Sequence, residues 1–140
     1  MTAVVVHVAA TWAMVGFSWT IQILQYPLLA AVPADAFPGF EAEHQRRVVA
    51  VLAIFGPVEV VMAALVFLTV PQVPAWLSLS SGLLLAGIWV ATGVYYAPIH
   101  GRLSSGFDRV LHRRLVTTNW LRTIAWTVRG VAAVSMVMFF

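Results

Sequence analysis

Apolar residues fill four long stretches of the chain, each about as long as the ~20 residues that a membrane-spanning helix needs. The stretches run over Val4–Leu29, Val48–Val70, Ala75–Ala97 and Leu115–Phe140. The connections that follow the first and third stretches are polar, whereas the one after the second, Pro71–Pro74, is uncharged and indicates a tight turn. The pattern predicts an all-α, antiparallel four-helix membrane bundle that forms one domain over residues 1–140.

The composition identifies lipid as the solvent of this bundle. Hydrophobic residues make up 61% of the 140 residues and charged residues 9%, against about 45–50% and about 25% in soluble domains. A core of this size is too small to bury so much apolar surface from water. These values exclude a soluble enzyme, a nucleic-acid-binding module and a disordered regulator. The absence of cysteine excludes disulfides and thiolate chemistry.

The basic residues, all of them arginine, predict the orientation of the chain. Six of the eight lie in the two polar connections, Pro33–Arg47 and Pro98–Arg114. Four spans place these two connections on the same side of the membrane, and the positive-inside rule makes that side cytoplasmic. We therefore expect a multi-pass protein of the bacterial inner (plasma) membrane with both termini outside.

Small residues and proline predict how the helices pack. Gly56-Pro57 interrupts the second span and predicts a kink, because proline lacks a backbone donor and crowds the preceding turn. Small residues in the third span favour close helix contacts, and they are Gly82, Ala86, Gly87 and Ala91. Four short helices enclose little volume, so the chain is also compatible with a homodimer.

Three charged residues, Glu59, Arg122 and Arg129, lie inside predicted spans. Each costs at least ~2.5–3.5 kcal/mol at bilayer depth, which makes each a candidate functional residue. At 1.5 Å per residue Glu59 lies ~17 Å deep, between Arg122 at ~11 Å and Arg129 at ~21 Å. Either arginine is therefore a candidate partner. Two interpretations stay open, an ion pair that fixes helix packing and a carboxyl group that takes part in chemistry.

Each span has one face that mixes polar and aromatic side chains at helical spacing. If the four faces meet, they line a cavity that opens toward the cytoplasmic side. The predicted catalytic residues are Glu59, Asn119, Arg122 and Arg129. The predicted substrate-binding residues are Trp12, Trp19, Gln22, Tyr26, Phe55, Trp89, Tyr96, Trp120 and Trp126. Aromatic packing and interfacial anchoring are the alternative interpretation of these rings.

Three histidines, His44, His100 and His112, lie near the predicted cytoplasmic boundary. Histidine side chains with a nearby carboxylate are ligands for zinc or non-haem iron. These three come from separate segments and lack a ligand-type spacing such as HxxxH. We therefore predict no metal site and no cofactor, and keep a metal- or quinone-dependent oxidoreductase as an alternative.

Several short motifs are spread over nearly the whole chain. They are Gln22-x-x-x-Tyr26-Pro27, Glu43-His44-x-Arg46-Arg47, Glu59, His100-Gly101-x-Leu103, Gly106-Phe107-Asp108, His112-Arg113-Arg114-Leu115, Asn119-Trp120-x-Arg122-Thr123 and Trp126-x-x-Arg129. This pattern resembles a group of small bacterial four-span membrane proteins that mostly carry no assigned function. More loosely, the small size, the helical layout, the one deep carboxyl group and the many aromatic residues resemble the bacterial membrane-bound terpene cyclases of the indolosesquiterpenoid (xiamycin-type) pathways.

The looser resemblance implies an enzyme that starts ring closure by protonating an epoxide or alkene of a prenyl chain. That chemistry needs a buried acid, an aromatic wall that stabilises carbocations, and exclusion of water. Glu59 is the only carboxyl group within a predicted span and is the expected proton donor. The expected partners are a lipophilic small-molecule substrate and the lipid bilayer. The further alternatives are a small proton-coupled transporter and a structural subunit of a membrane complex.

Overall fold

The computed structural model describes residues 1–140 and contains no strand. The four helices are α1 (Thr2–Leu29), α2 (Phe37–Thr69), α3 (Ala75–Leu103) and α4 (Arg109–Ser135), and α4 continues into a 3-10 turn at Met136–Phe139. All four are long and apolar enough to cross a membrane. The predicted all-α four-helix bundle is thereby confirmed.

Three of the helices extend beyond the apolar stretches that predicted them. Helix α2 begins at Phe37 instead of Val48, α3 continues to Leu103, and α4 begins at Arg109. Residues 37–47, predicted as connection, are therefore helical, because hydropathy detects the lipid-embedded part of a helix and not its end. At the start of α4 the Asp108 carboxylate accepts a hydrogen bond from the backbone N–H of Leu111 at 2.9 Å, a helix N-cap.

Each helix packs against two neighbours, and α1 closes the ring against α4. Polar pairs join these two helices along their length. The Asn119 side-chain amide donates to the Gln22 carbonyl oxygen at 2.7 Å, and the hydroxyls of Ser18 and Thr123 lie 3.1 Å apart. In lipid, where apolar contact alone gives little net attraction, interhelical hydrogen bonds of this kind hold helices together.

The close helix approaches occur at other glycines than those predicted. A Cβ atom at Gly82 or Gly87 would have no heavy atom within 4 Å, so neither residue is a contact point within the bundle. At Gly56 a Cβ would lie 2.8 Å from the Trp89 ring, which fills the space beside the glycine. Helix α2 is continuous through Pro57, the position of the predicted kink.

Helices α1 and α3 each contain one turn of π-helix, at Ile21–Gln25 and at Thr92–Tyr96. Each turn shortly precedes a proline, Pro27 in α1 and Pro98 in α3. A proline has no backbone N–H to donate, and the widened turn changes the hydrogen-bond register beside it. Tyr26, directly after the first π turn, and Tyr96, at the end of the second, are both buried in the bundle.

Candidate active site

A cavity of about 130 Å³ lies inside the bundle, in the half nearer to the two connections 30–36 and 104–108. Residues of all four helices line it, and 12 of the 18 lining residues are hydrophobic. The lining includes the exposed residues Val49 of α2 and Ala97 of α3, so the cavity opens between these helices. With the open mouth included, the empty space is about 790 Å³. Val49 and Ala97 lie at the ends of the apolar stretches of α2 and α3, so the mouth lies at the edge of the part of the bundle that is apolar enough to cross a membrane.

A carboxylate, an imidazole and a phenol form a hydrogen-bonded relay at the polar end of this cavity. The Nδ1 of His100 lies 2.6 Å from Oε1 of Glu41, and the Nε2 of His100 lies 2.9 Å from the Tyr26 hydroxyl. Glu41 is fully buried and Tyr26 is 2% exposed. The order of groups is that of a carboxylate-oriented histidine acting on a hydroxyl, an arrangement suited to proton transfer.

The extension of α2 beyond its apolar stretch positions this relay. Gln45, one helical turn after Glu41, donates from its amide to the backbone carbonyl of His100 at 3.2 Å and to the Ser104 hydroxyl at 2.6 Å. These bonds tie the start of α2 to the end of α3. The Oε2 atom of Glu41 is buried and has no hydrogen-bond partner.

Arg122 brings a positive charge to the phenol. Its Nη2 lies 3.4 Å from the Tyr26 hydroxyl oxygen, and its guanidinium carbon lies 4.7 Å from the centre of the Tyr96 ring. No carboxylate oxygen lies within 4.0 Å of this guanidinium, which is half-buried. A cation in this position stabilises negative charge that develops on the phenol oxygen or on a neighbouring ligand atom.

The three histidines have different surroundings. The ring of His44 lines the cavity, with its centre 5.6 Å from that of His100. His112 instead donates from Nε2 to the backbone carbonyl of Tyr26 at 2.8 Å. No group of three His, Cys, Asp or Glu side chains is arranged to hold a metal ion, so the alternative metal set of the three histidines does not converge.

Glu59 and Arg129 lie outside the cavity and pair with each other. Both are completely buried, and Nη2 of Arg129 donates to Oε2 of Glu59. Thr11 donates to the other carboxylate oxygen at 2.9 Å, and Nη1 of Arg129 donates to the carbonyl of Ser81 at 2.9 Å. Of the two candidate partners of Glu59, the structure therefore selects Arg129. The pair joins α2 to α4, with contacts from α1 and α3.

The predicted site residues divide into two groups. The cavity lining contains five of them, Arg122, Tyr26, Trp89, Tyr96 and Trp126. The others lie elsewhere, and they are Glu59, Asn119, Arg129, Trp12, Trp19, Gln22, Phe55 and Trp120. In that second group Trp12, Trp19 and Trp120 are 44%, 40% and 37% exposed on the outer surface, where lipid surrounds the bundle. Gln22 and Asn119 bond to each other, and Phe55 packs against the apolar core.

Sequence reasoning did not identify Glu41 as a site residue and gave His100 a chemical role only in the alternative metal- or quinone-dependent oxidoreductase. Both residues lie in segments predicted as connections, where polar side chains are usually solvated. The signal that was present is the spacing of Glu41, His44 and Gln45, which places them on one face of a helix ahead of the apolar stretch.

Comparison of the chain with protein-family models, curated proteins and solved structures finds no match.

Proposed function

We propose that this protein is a membrane-embedded enzyme that acts on a lipophilic substrate by proton transfer through the Tyr26 hydroxyl. The observation that carries the proposal is the Glu41–His100–Tyr26 relay, which ends at an apolar cavity open toward the space that lipid fills. A general acid must lie within hydrogen-bond reach of the atom that it protonates, and two of the relay groups, Tyr26 and His100, line the cavity. We assign the proton transfer to Tyr26, the hydroxyl group at the end of the relay, beside Arg122.

The reaction that we propose is acid-initiated ring closure of an epoxy-prenyl chain. Tyr26 donates its proton to the epoxide oxygen as the carbon–oxygen bond breaks, and an alkene electron pair forms the new carbon–carbon bond. His100 returns a proton to Tyr26, with Glu41 stabilising the histidine. The carbocation then loses a proton to His100, which also lines the cavity and has just given one to Tyr26. Protons gained and lost are equal, so the product is an isomer of the substrate.

The remaining cavity walls suit this chemistry. The rings of Trp89, Tyr96 and Trp126 line the cavity, and aromatic faces attract cations at close range. Most of the lining is hydrophobic, which excludes the water that would quench a carbocation. The enclosed volume of about 130 Å³ is close to that of an engineered cavity of about 150 Å³ that binds benzene, so the reacting segment also occupies the open mouth, with which the space is about 790 Å³. The rest of the chain extends through the mouth into lipid.

The geometry favours Tyr26 over Glu59 as the proton donor. Glu59 accepts hydrogen bonds from Arg129 and Thr11 and does not line the cavity. The same pair weighs against a transporter that uses Glu59 as its proton and substrate site, because such a site needs access from both sides. A structural subunit would need no hydrogen-bonded relay beside an open cavity.

The test is product formation by the purified protein in lipid vesicles. The substrate is a farnesyl chain that carries a terminal epoxide and an aromatic head group, and chromatography with mass spectrometry detects cyclised isomers of unchanged mass. We expect turnover with the unaltered protein and a loss of at least ~100-fold with Tyr26→Phe, the low end of the effect of general acid catalysis. Formation of an isomer, and not movement of the substrate, separates an enzyme from a transporter.

A matched control removes one hydroxyl from an exposed position of the same helix. Thr20→Val does so at a side chain that bonds only to the backbone carbonyl of Gly16, and we expect it to retain full turnover. Equal turnover by Tyr26→Phe and Thr20→Val would refute Tyr26 as the proton donor. Absence of any isomer from the unaltered protein would refute the ring-closure reaction.

A further inference from the structure

A second concave surface lies on the other side of α3, between α3 and α4. This α3–α4 groove has a volume of about 410 Å³ and is lined mainly by hydrophobic residues. The residues that matter here are Leu84, Gly87, Tyr95, Leu121, Ala125 and Arg122. The lining contains no acidic side chain. Arg122 and Tyr96 line both the groove and the cavity of the relay, so Arg122 lies between the two spaces.

The hydrogen-bonding capacity of Arg122 is largely unused by the protein. A guanidinium has five N–H donors, and the protein offers it one bond, to the Tyr26 hydroxyl at 3.4 Å, together with the face of the Tyr96 ring. Arg129, the other arginine at membrane depth, is paired with Glu59. Leaving a charged group unpaired within a bilayer is costly. Arg122 therefore has N–H donors that the acidic group of a ligand can use.

The shape and depth of the groove limit what that ligand is. Arg122 lies seven residues beyond Leu115, the start of the apolar stretch of α4, or ~11 Å deeper along the helix. The phosphate of a two-chain phospholipid belongs at the headgroup level, nearer to Arg114, whose Nε donates to the Tyr95 hydroxyl at 2.8 Å. A planar carboxylate on a single chain reaches deeper, and it matches the fork of a guanidinium.

We propose that the α3–α4 groove binds a single-chain anionic amphiphile, with its carboxylate on Arg122 and its acyl chain on the apolar surface beside Leu84, Leu121 and Ala125. The charge of the groove and its apolar lining complement the two parts of this ligand. The proposal concerns binding and does not depend on the proposed reaction. A protein that forms no cyclised product still binds the amphiphile if the proposal is right.

The test measures quenching of tryptophan fluorescence by dibromostearate, with the protein in phosphatidylcholine vesicles. We expect Arg122→Met to raise the apparent Kd at least ~10-fold and Arg122→Lys to retain part of the affinity. The methyl ester of dibromostearate, which lacks the charge, should bind both forms alike. Arg109→Met removes an exposed arginine from the same helix, outside the groove, and should leave the Kd unchanged.

A variant that fills the α3–α4 groove tests whether the amphiphile binds there or in the relay cavity. Gly87 lines the groove but not the relay cavity, and a Cβ there meets no heavy atom within 4 Å, so the side chain of Gly87→Leu begins in open space within the groove. We expect it to weaken dibromostearate binding as Arg122→Met does. Gly82→Leu, equally unobstructed but outside the groove, is the control and should bind normally.

Three results would overturn the proposal. The first is an unchanged Kd in Arg122→Met, which would show that the carboxylate does not use this arginine. The second is normal binding by Gly87→Leu together with loss in Arg122→Met, which would place the carboxylate in the relay cavity. The third is displacement of dibromostearate by phosphatidylglycerol at equal concentration, which would identify a phospholipid as the occupant. Circular dichroism of each variant verifies that the helices are intact.

Discussion

Replacement of Arg129 by methionine is the most informative test of how this bundle is held together. The substitution retains much of the volume of the side chain and removes its charge. It leaves Glu59, which is completely buried, with only the Thr11 hydroxyl as a hydrogen-bond donor. It also removes the bonds from Arg129 to the carbonyl of Ser81 and to the Thr11 hydroxyl, so α4 loses polar contacts to all three other helices.

The expected loss of stability follows from these contacts. Removing one partner of a buried ion pair costs about 3–5 kcal/mol, because the other charge stays buried and uncompensated. The lost bond to Ser81 adds about 0.6 kcal/mol, the average for an interhelical hydrogen bond in a membrane protein. Together these terms predict that Arg129→Met lowers the free energy of unfolding by about 4–6 kcal/mol. Glu59→Gln keeps a hydrogen-bond acceptor for Thr11 and removes the isolated charge, so it should partly rescue Arg129→Met.

A double-mutant cycle measures this coupling. The free energy of unfolding of the unaltered protein, Arg129→Met, Glu59→Gln and the double variant is obtained in detergent micelles by titration with a denaturing detergent, followed by circular dichroism. We expect a coupling energy near the upper end of the range of about 0.5–3 kcal/mol for residues in contact. The exposed pair Glu43–Arg46, with a hydrogen bond of 2.7 Å, is the control. Its coupling should be much smaller because solvent screens surface charges.

Additive losses from Arg129→Met and Glu59→Gln would refute the reasoning, since independent effects mean that the two side chains do not stabilise each other. A coupling energy no larger than that of Glu43–Arg46 would have the same meaning. If Arg129→Met does not fold, Arg129→Lys replaces it in both the single and the double variant. This substitution retains the charge but not the fork of donors, so the cycle is milder.

Three further predictions test the orientation, the packing and the proton donor. Reporter fusions at the two termini should both give an external signal, and a cytoplasmic signal from either would refute the orientation that the arginine-rich connections predict. Gly56→Ala should destabilise the bundle by about 1–3 kcal/mol because the added Cβ meets the Trp89 ring at 2.8 Å. Gly82→Ala, where nothing lies within 4 Å, should be neutral or stabilising in the same unfolding titration. Glu59→Gln should retain turnover under conditions where it is folded, whereas Tyr26→Phe loses it; the opposite result would make Glu59 the acid.

The class of the fold follows from the amino-acid sequence alone, because a membrane imposes two strong constraints. Lipid requires every backbone polar group to bond within its own segment, so an apolar stretch of sufficient length becomes a helix. It also makes a charge at depth costly, which drew attention to Glu59, Arg122 and Arg129 before their contacts were known. Depth counted along a helix was enough to show that an arginine can reach Glu59, since depth is a property of one helix at a time.

Which faces of the helices meet became known only from the packing of the four helices. Helical periodicity places residues on a face but does not state whether that face is turned to a neighbour or to lipid, and in a bilayer both are apolar. Trp12 and Trp19 share a helical stripe with Tyr26 in the sequence, yet in the structure they lie on the outer surface whereas Tyr26 is buried. A π turn at Ile21–Gln25 lies between Trp19 and Tyr26 and changes the helical register there. The relay needs Glu41 from α2 and His100 from α3, two segments whose contact depends on how far the helices extend beyond the apolar stretches.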